Sequence, residues 1–536
     1  MKKKVIAVVV LMATAGVCMG ALSFEQCSRR YGLDRPLTGI MSHAAACGDF
    51  DGDGDLDMYV GAFCDRPPET YVGGAGPVLN MMLVNDDGVF RPVDNPNLSF
   101  MARTSGAVFI DLDNDGDLDF YVSNNSKSKG LRVANRLFEN VGGRFRDISA
   151  GNPACIMMGG RSVGVLDYDG DGLLDMLVAE DKWTGSRTRL FRNLGNPTFA
   201  DVSDAVGLPV DLPGLGVATV DFNEDGWPDI FVAQANRLLL SDGSGRYVEG
   251  DSSVFQHEPV NDEDTPCGAA CGDVNGDGWM DIVTVHHSQP ARQHLYLNLG
   301  LTNGKPQFRD VTAEAGLAYE FPSWTSGKLH LKHAHVEMAD FDNDGRVDIV
   351  VAATYKRDGD SQPFVCRNLG WSKRGDVPRL DVPPVGDADA YFSAGPVADF
   401  DRDGRMDMML ASWFGEIPSK LYINRSKCGH WLDVKVVGCT MNHMGIGATV
   451  RVYRPGRLGD CDALIGYTQI GTGFGFCTGQ EAIAHFGLGE ATACDVEVTL
   501  PHSRGVIVKG NFTANQQLVM TESAVTQDVT IVCGDH

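Results

Sequence analysis

Seven nine-residue segments dense in carboxylates carry the clearest chemistry in this sequence. They read DFDGDGDLD from residue 49, DLDNDGDLD from 111, DYDGDGLLD from 167, DFNEDGWPD from 221, DVNGDGWMD from 273, DFDNDGRVD from 340 and DFDRDGRMD from 399. The shared pattern is D-x-[DN]-x-D-G-x-x-D, repeated every 52–67 residues. In a tight loop, side chains at positions 1, 3 and 5 converge on one point. Glycine at position 6 permits a left-handed turn, the carbonyl of position 7 can face inward, and the acid at position 9 closes the shell. An all-oxygen set of this kind suits calcium, which takes about six to eight such ligands.

The expected ligands follow copy by copy. They are Asp49, Asp51, Asp53, Asp55 and Asp57; Asp111, Asp113, Asp115, Asp117 and Asp119; Asp167, Asp169, Asp171, Leu173 and Asp175; and Asp221, Asn223, Asp225, Trp227 and Asp229. The last three copies supply Asp273, Asn275, Asp277, Trp279 and Asp281; Asp340, Asp342, Asp344, Arg346 and Asp348; and Asp399, Asp401, Asp403, Arg405 and Asp407. Up to seven Ca2+ ions are expected. An EF-hand is excluded, because position 12 is Val, Thr or Leu (Val60, Thr284 and Leu410, for example) where that loop needs Glu. Of 71 acidic and 45 basic residues, 29 acids and three arginines lie in the motifs, so the whole net charge of −26 sits there. Such crowded carboxylates repel one another unless a cation lies among them. For a depleted copy such as 273–281, the competing reading is a solvated Asx turn.

The flanks of each motif position it. Small residues precede it (SHAAACG, SGAVFI) and β-branched or aromatic runs follow (MYVGAF, IFVAQA). A second hairpin comes next, as in NRLFENVGGRFRDIS. Four strands per repeat and seven repeats predict an all-β chain: a seven-bladed β-propeller followed by a small β-rich C-terminal domain. A strand from about Phe24 is expected to close the ring.

The expected organisation is an export signal over 1–20, the propeller over 21–427, a β domain over 428–525 and a tail over 526–536. Lys2, Lys3 and Lys4 precede an apolar run too short to span a bilayer, and small residues lie near Gly20. This predicts a secreted or periplasmic protein without a transmembrane segment; lipid attachment at Cys18 is the alternative. Six cysteines (Cys428, Cys439, Cys461, Cys477, Cys494 and Cys533) suggest bridging near the C-terminal end, whereas Cys47 and Cys271 read as buried thiols. Strong acidity argues against nucleic acid as a partner.

These repeats resemble the FG-GAP and VCBS repeats, the family that includes the integrin α-subunit propeller, in which this loop joins the first two strands of a blade. Ala394-Gly395-Pro396 is a partial echo of the family's Gly-Ala-Pro signature, so the resemblance implies the calcium loops rather than integrin-type ligand binding. Past residue 430, Asn442, Gly445, Gly447, Ala448, Gln480, His485, Phe486, Gly487, Leu488 and Gly489 resemble the ASPIC/UnbV domain, which follows such repeats in the cartilage acidic protein family. Leu500 stands where that pattern has Trp.

No nucleophile elbow, P-loop or dinucleotide fingerprint occurs. His330, His333 and His335 before the sixth motif, and His286 and His287 after the fifth, are the best alternative site, with His333 and His335 on one strand face near the channel. His485 and the tripeptide Arg374-Gly375-Asp376 are weaker candidates. The expected function is that of a calcium-stabilised module binding an extracellular protein or glycan; the alternative is an extracellular enzyme acting on a polymer through a histidine-lined channel.

Overall fold

The computed structural model describes residues 21–126, 130–261, 264–287, 292–321, 332–473 and 475–524. The expected export signal, Cys18, His330 and the 526–536 tail lie outside the described residues. Each motif forms the turn between two antiparallel strands. In the first repeat Ser42–Gly48 enters the loop and Asp57–Ala62 leaves it, with Gly48 opposite Asp57. Met81–Asp86 and Val89–Pro92 complete that sheet. The entering strand is built from Ala44, Ala45 and Ala46, all fully buried. Small side chains are required there because the inner strands of neighbouring sheets pack on one another.

Six further sheets repeat this plan, with inner strands Thr104–Ile110, Gly160–Leu166, Gly214–Val220, Pro266–Gly272, Val336–Ala339 and Val397–Ala398. The seventh takes its outermost strand from the other end of the sequence: Phe24–Gln26 pairs antiparallel with Lys420–Asn424, Phe24 opposite Asn424. Ser42 N–H donates to Ser412 O at 2.7 Å, joining the seventh sheet to the first. The all-β propeller and its closing strand are as expected, and closure leaves few open sheet edges.

Two more sheets follow. One orders Ala484–Gly489, His430–Val437 and Gln516–Thr521; the other orders Leu464–Gln469, Thr449–Tyr453, Ala493–Leu500 and Gly505–Thr513. Their core residues, among them Val434, Val450 and Val498, continue without a break into Leu112, Leu174 and Phe191 of the propeller. Among the described cysteines of this part, Cys461 is disulfide-bonded, while Cys428, Cys439, Cys477 and Cys494 are free thiols. Cys47 and Cys271 are buried thiols, as expected.

One segment of this C-terminal part returns into the ring. Thr478–Gly479 adds to the first sheet, parallel to Ala45 and Ala46. Gly475 N–H donates to Ala269 O, Cys477 N–H to Ser162 Oγ, Phe476 N–H to His335 Nδ1, and Val397 N–H to Gln480 Oε1. A Cβ at Gly216 would lie 2.5 Å from Gly475 O, and one at Gly479 would lie 2.7 Å from Ala107 O. The segment therefore meets all seven inner strands. Gly475 has φ +80°, and a Cβ there would come within 2.5 Å of the His335 ring. Gly475→Ala should lower the urea midpoint of unfolding by the equivalent of about 2 kcal/mol or more, whereas Gly473→Ala, near Gln480 only, should cost less.

Candidate functional site

The seven Asp loops share one hydrogen-bond scheme. Oδ2 of the first Asp accepts from the glycine N–H at position 6, at 2.6–3.0 Å in every copy. Oδ1 of the fifth accepts from the N–H of position 7. The ninth Asp is buried, and both of its oxygens are engaged. In the third copy Asp175 accepts Tyr168 N–H at 3.1 Å and Asn193 N–H at 2.7 Å, and the other six copies match it. Each glycine at position 6 has positive φ, as the motif predicts. Position 4 is also left-handed, including Glu224 and Arg402.

Burial, with repulsion from neighbouring acids, pushes up the first carboxyl of the loops starting at 340, 399 and 221. Asp340 rises to about 6, Asp399 to about 7 and Asp221 to about 8. A cation among them would reverse that shift. Several oxygens are poised for one: Asp111 Oδ1, Asp113 Oδ1, Asp169 Oδ1, Asp342 Oδ1 and Asp401 Oδ1 are buried without a hydrogen-bond partner among the described residues. Three donor carboxylates converge in the loops starting at 49, 111, 167 and 340. The donor set thus fits a hard divalent ion. Arginines supply part of the neutralisation. Arg192 contacts Asp169 and Asp171, Arg367 contacts Asp342, and Arg425 contacts Asp401. In the loops at 221 and 273, Asn223 and Asn275 donate to Asp225 and Asp277.

The C-terminal part sits on this loop face. His443 N–H donates to Asn114 Oδ1, His502 N–H to Gly226 O, and Arg451 pairs with Glu224. His485 bridges Asp433 (2.7 Å) and Asn343 (2.9 Å). Against the downward pull of burial, the Asp433 carboxylate raises His485. The histidine therefore joins the two parts rather than facing a cavity. Arg374 of the RGD tripeptide donates to Gly276 O and Leu464 O, and Gly375 N–H donates to Asn275 O, so that sequence is pinned to the fifth loop.

At the opposite ends of the inner strands lies a cavity of about 1020 Å3. Arg66, Arg103, Arg161 and Lys332 line it, with His43 and His287, and Phe63, Trp183, Tyr391, Trp413 and Phe414 form its apolar walls. Phe476 of the inserted segment is its inner end. No Asp or Glu lines it among the described residues. Arg161 is held from behind by Asp181 at 2.5 and 2.8 Å, and Arg103 by Asp65 at 2.9 Å. Arg66 lies over the Trp413 ring at 5.1 Å. His43 stacks on Phe63 at 4.5 Å and meets Phe476 edge-on at 5.1 Å.

The expected pairing of His333 with His335 does not form. Both precede the strand Val336–Ala339, so the alternation of a strand does not apply to them. His333 packs on Phe321 and Tyr319. His335 lies beneath the inserted segment, its Nε2 2.9 Å from Gly395 O. Burial drives them down to about 3 and about 4. Of the other two, His287 reaches the cavity, while His286 bonds to Asp264 at 3.0 Å.

A set of residues that motif reading missed is an asparagine in the third strand of most sheets. Asn140, Asn193, Asn298, Asn368 and Asn424 each donate a side-chain N–H to the position-2 carbonyl of the preceding loop. The signal is present in the sequence as the Asn of LFEN, LFRN and LYIN.

Comparison with known proteins places these features. The FG-GAP-like repeat model matches residues 49–122, 167–232, 273–351 and 340–410, together more than half of the chain, and the ASPIC and UnbV model matches 438–527. Cartilage acidic protein 1 of Xenopus tropicalis is 26% identical, over 92% of this chain and 76% of that protein. The Homo sapiens protein of that name is 27% identical, over 91% and 73%. Among solved structures, Bacillus licheniformis rhamnogalacturonan lyase PL11 aligns with a TM-score of 0.39 and 15% identity, over 76% of each chain. BBS1N in complex with ARL6DN aligns with a TM-score of 0.41 and 10% identity, over 72% and 94%. Likeness at that level carries no argument about activity.

The hydrogen-bond scheme gives the ninth Asp a role that does not depend on metal, beside the donor that Asp175 offers together with Asp167 and Asp169. Asp175→Ala orphans two buried N–H groups and should cost about 2–4 kcal/mol in chemical denaturation. The loss should persist in excess chelator.

Proposed function

Because this chain belongs to the FG-GAP-like repeat family and carries an ASPIC and UnbV domain near its C-terminal end, we propose that it is an exported binding module. Calcium in the Asp loops stabilises the loop face and the C-terminal part seated on it, and the opposite channel mouth takes an anionic glycan. The observation that carries this reading is the mouth itself: four cationic side chains interleaved with aromatic rings, in a chain of net charge −26. Aromatic faces stack on the apolar faces of sugar rings, and guanidinium groups take carboxylate or sulfate through paired hydrogen bonds. Asp181 and Asp65 fix Arg161 and Arg103 in place before any ligand arrives, which reduces the entropy cost of binding. Among the described residues, no helix is long and apolar enough to cross a membrane.

The orphaned carboxylate oxygens support calcium in the loops. The alternative, an enzyme acting on a polymer, loses His333 to the sheet interface and would have to use His43 and His287.

Two measurements test the reading. Stripping the protein with chelator and adding back Ca2+ should raise the thermal midpoint, with several ions bound per chain. No shift and no bound metal would leave the loops as arginine-clamped turns. Calorimetry with uronate-bearing or sulfated oligosaccharides, at saturating Ca2+, should show binding that neutral oligosaccharides lack. Lys332→Ala and Trp413→Ala should each weaken it by about tenfold. Equal binding of neutral sugars, or unchanged affinity in both variants, would remove the mouth from the proposal.

A further inference from the structure

A second donor group lies away from both the Asp loops and the channel floor. His257 follows the turn Ser253–Phe255 in the connection between the fourth and fifth sheets; His286 ends the strand Asp281–His286; His294 begins within Gln293–Thr302. His294 is opposite Thr284, so His286 and His294 are diagonal neighbours on one face of the sheet. The ring centroids are 4.5 Å apart for His257–His286, 5.1 Å for His286–His294 and 6.2 Å for His257–His294.

In each ring the two nitrogens are placed differently. Nδ1 has a partner: Asp264 Oδ1 at 3.0 Å for His286, Asp310 Oδ2 at 2.9 Å for His294, and the Asn236 amide at 3.3 Å for His257. Nε2 is buried in all three and has no hydrogen-bond partner among the described residues. Asn236 Oδ1 is unpartnered as well, and turning that amide over makes it the acceptor for His257 Nδ1–H. A carboxylate on Nδ1 holds the proton there and leaves the lone pair on Nε2, which is how metal-ligating histidines are oriented.

Three buried lone pairs without a donor are unfavourable unless something binds them. A zinc ion about 2.0–2.1 Å from three imidazole nitrogens, at near-tetrahedral angles, separates the ring centroids by about 5 Å. The three observed separations bracket that value. Donor atoms of His257, Asp264 and His286 lie within 4.8 Å of one another, Asp264 through its contact with His286 Nδ1, and His294 joins them as the diagonal neighbour of His286.

We propose that His257, His286 and His294 bind one divalent transition-metal ion of the zinc class through Nε2, with Asn236, Asp264 and Asp310 orienting the rings. A nitrogen set separates this ion from the all-oxygen loops, which favour calcium. The ion ties the connection between the fourth and fifth sheets to two strands of the fifth sheet. Asn261 and His287, on that connection and at the end of that sheet, line the channel mouth. This site does not depend on what the mouth binds.

The test uses the whole exported chain, stripped of metal and held in excess Ca2+ so that the Asp loops are occupied. Titration with Zn2+ should show one tight equivalent, and Co2+ in its place should show the visible absorption of a tetrahedral nitrogen site. His257→Gln and His294→Gln alter half-buried side chains, so the fold should persist, as monitored by the calcium-dependent thermal midpoint. Each should weaken Zn2+ binding by about a hundredfold, and Asp310→Asn by about tenfold. Absence of a tight equivalent in the wild type, or an equivalent retained with the same Co2+ spectrum in both histidine variants, would overturn the proposal.

Discussion

The structure depends on one buried carboxylate per repeat. The ninth Asp of each motif is almost solvent-free and accepts one main-chain N–H from its own loop and one from the third strand of its sheet. Burying an acid is unfavourable, and here it raises Asp57 and Asp119 to about 8. Paired N–H donors make the arrangement tolerable and fix the loop against the sheet. The asparagine that donates the second N–H uses its side chain to hold the preceding loop. Loop shape, sheet register and the spacing between sheets thus belong to one network. Two sheets depart from it: the fourth has Ser241 in the asparagine's place, and in the first the Asn85 side chain donates to Leu56 O of its own loop.

Much of this was legible in the sequence, and the failures have physical reasons. The D-x-[DN]-x-D-G-x-x-D period, the small inner strands and the closing strand at Phe24 follow from local pattern and from the need to remove edges. The third-strand asparagine was visible but unread, because its partner lies in the preceding repeat: Asn193 reaches Leu112, 81 residues away. GTGFGFCTGQ looks like a glycine-rich turn, and nothing local shows that it enters the ring. His333 and His335 were misread because the two-residue period holds only inside a strand. The nitrogen cluster was missed because His257, His286 and His294 are scattered in sequence and meet only through sheet pairing.

The two faces of the ring are chemically opposed, and the C-terminal part reaches both. It grips the acidic loops through Arg451, His485 and His502, and it sends Phe476 through the centre to the cationic mouth. The loops and the mouth are therefore in mechanical contact through a single element that touches every inner strand.

The closing strand has a kinetic consequence. Glu25 pairs with Arg425, 400 residues further along, in the contact that completes the last sheet. In each of the other six propeller sheets the four blade strands come from residues close together in sequence, but this one must wait for the whole ring. The entropy of closing so long a loop grows only slowly with its length, yet such distant pairing delays the final step of folding. Until then the Lys420–Asn424 strand presents an open edge. A newly made chain is thus most exposed to edge-to-edge association just before it is finished.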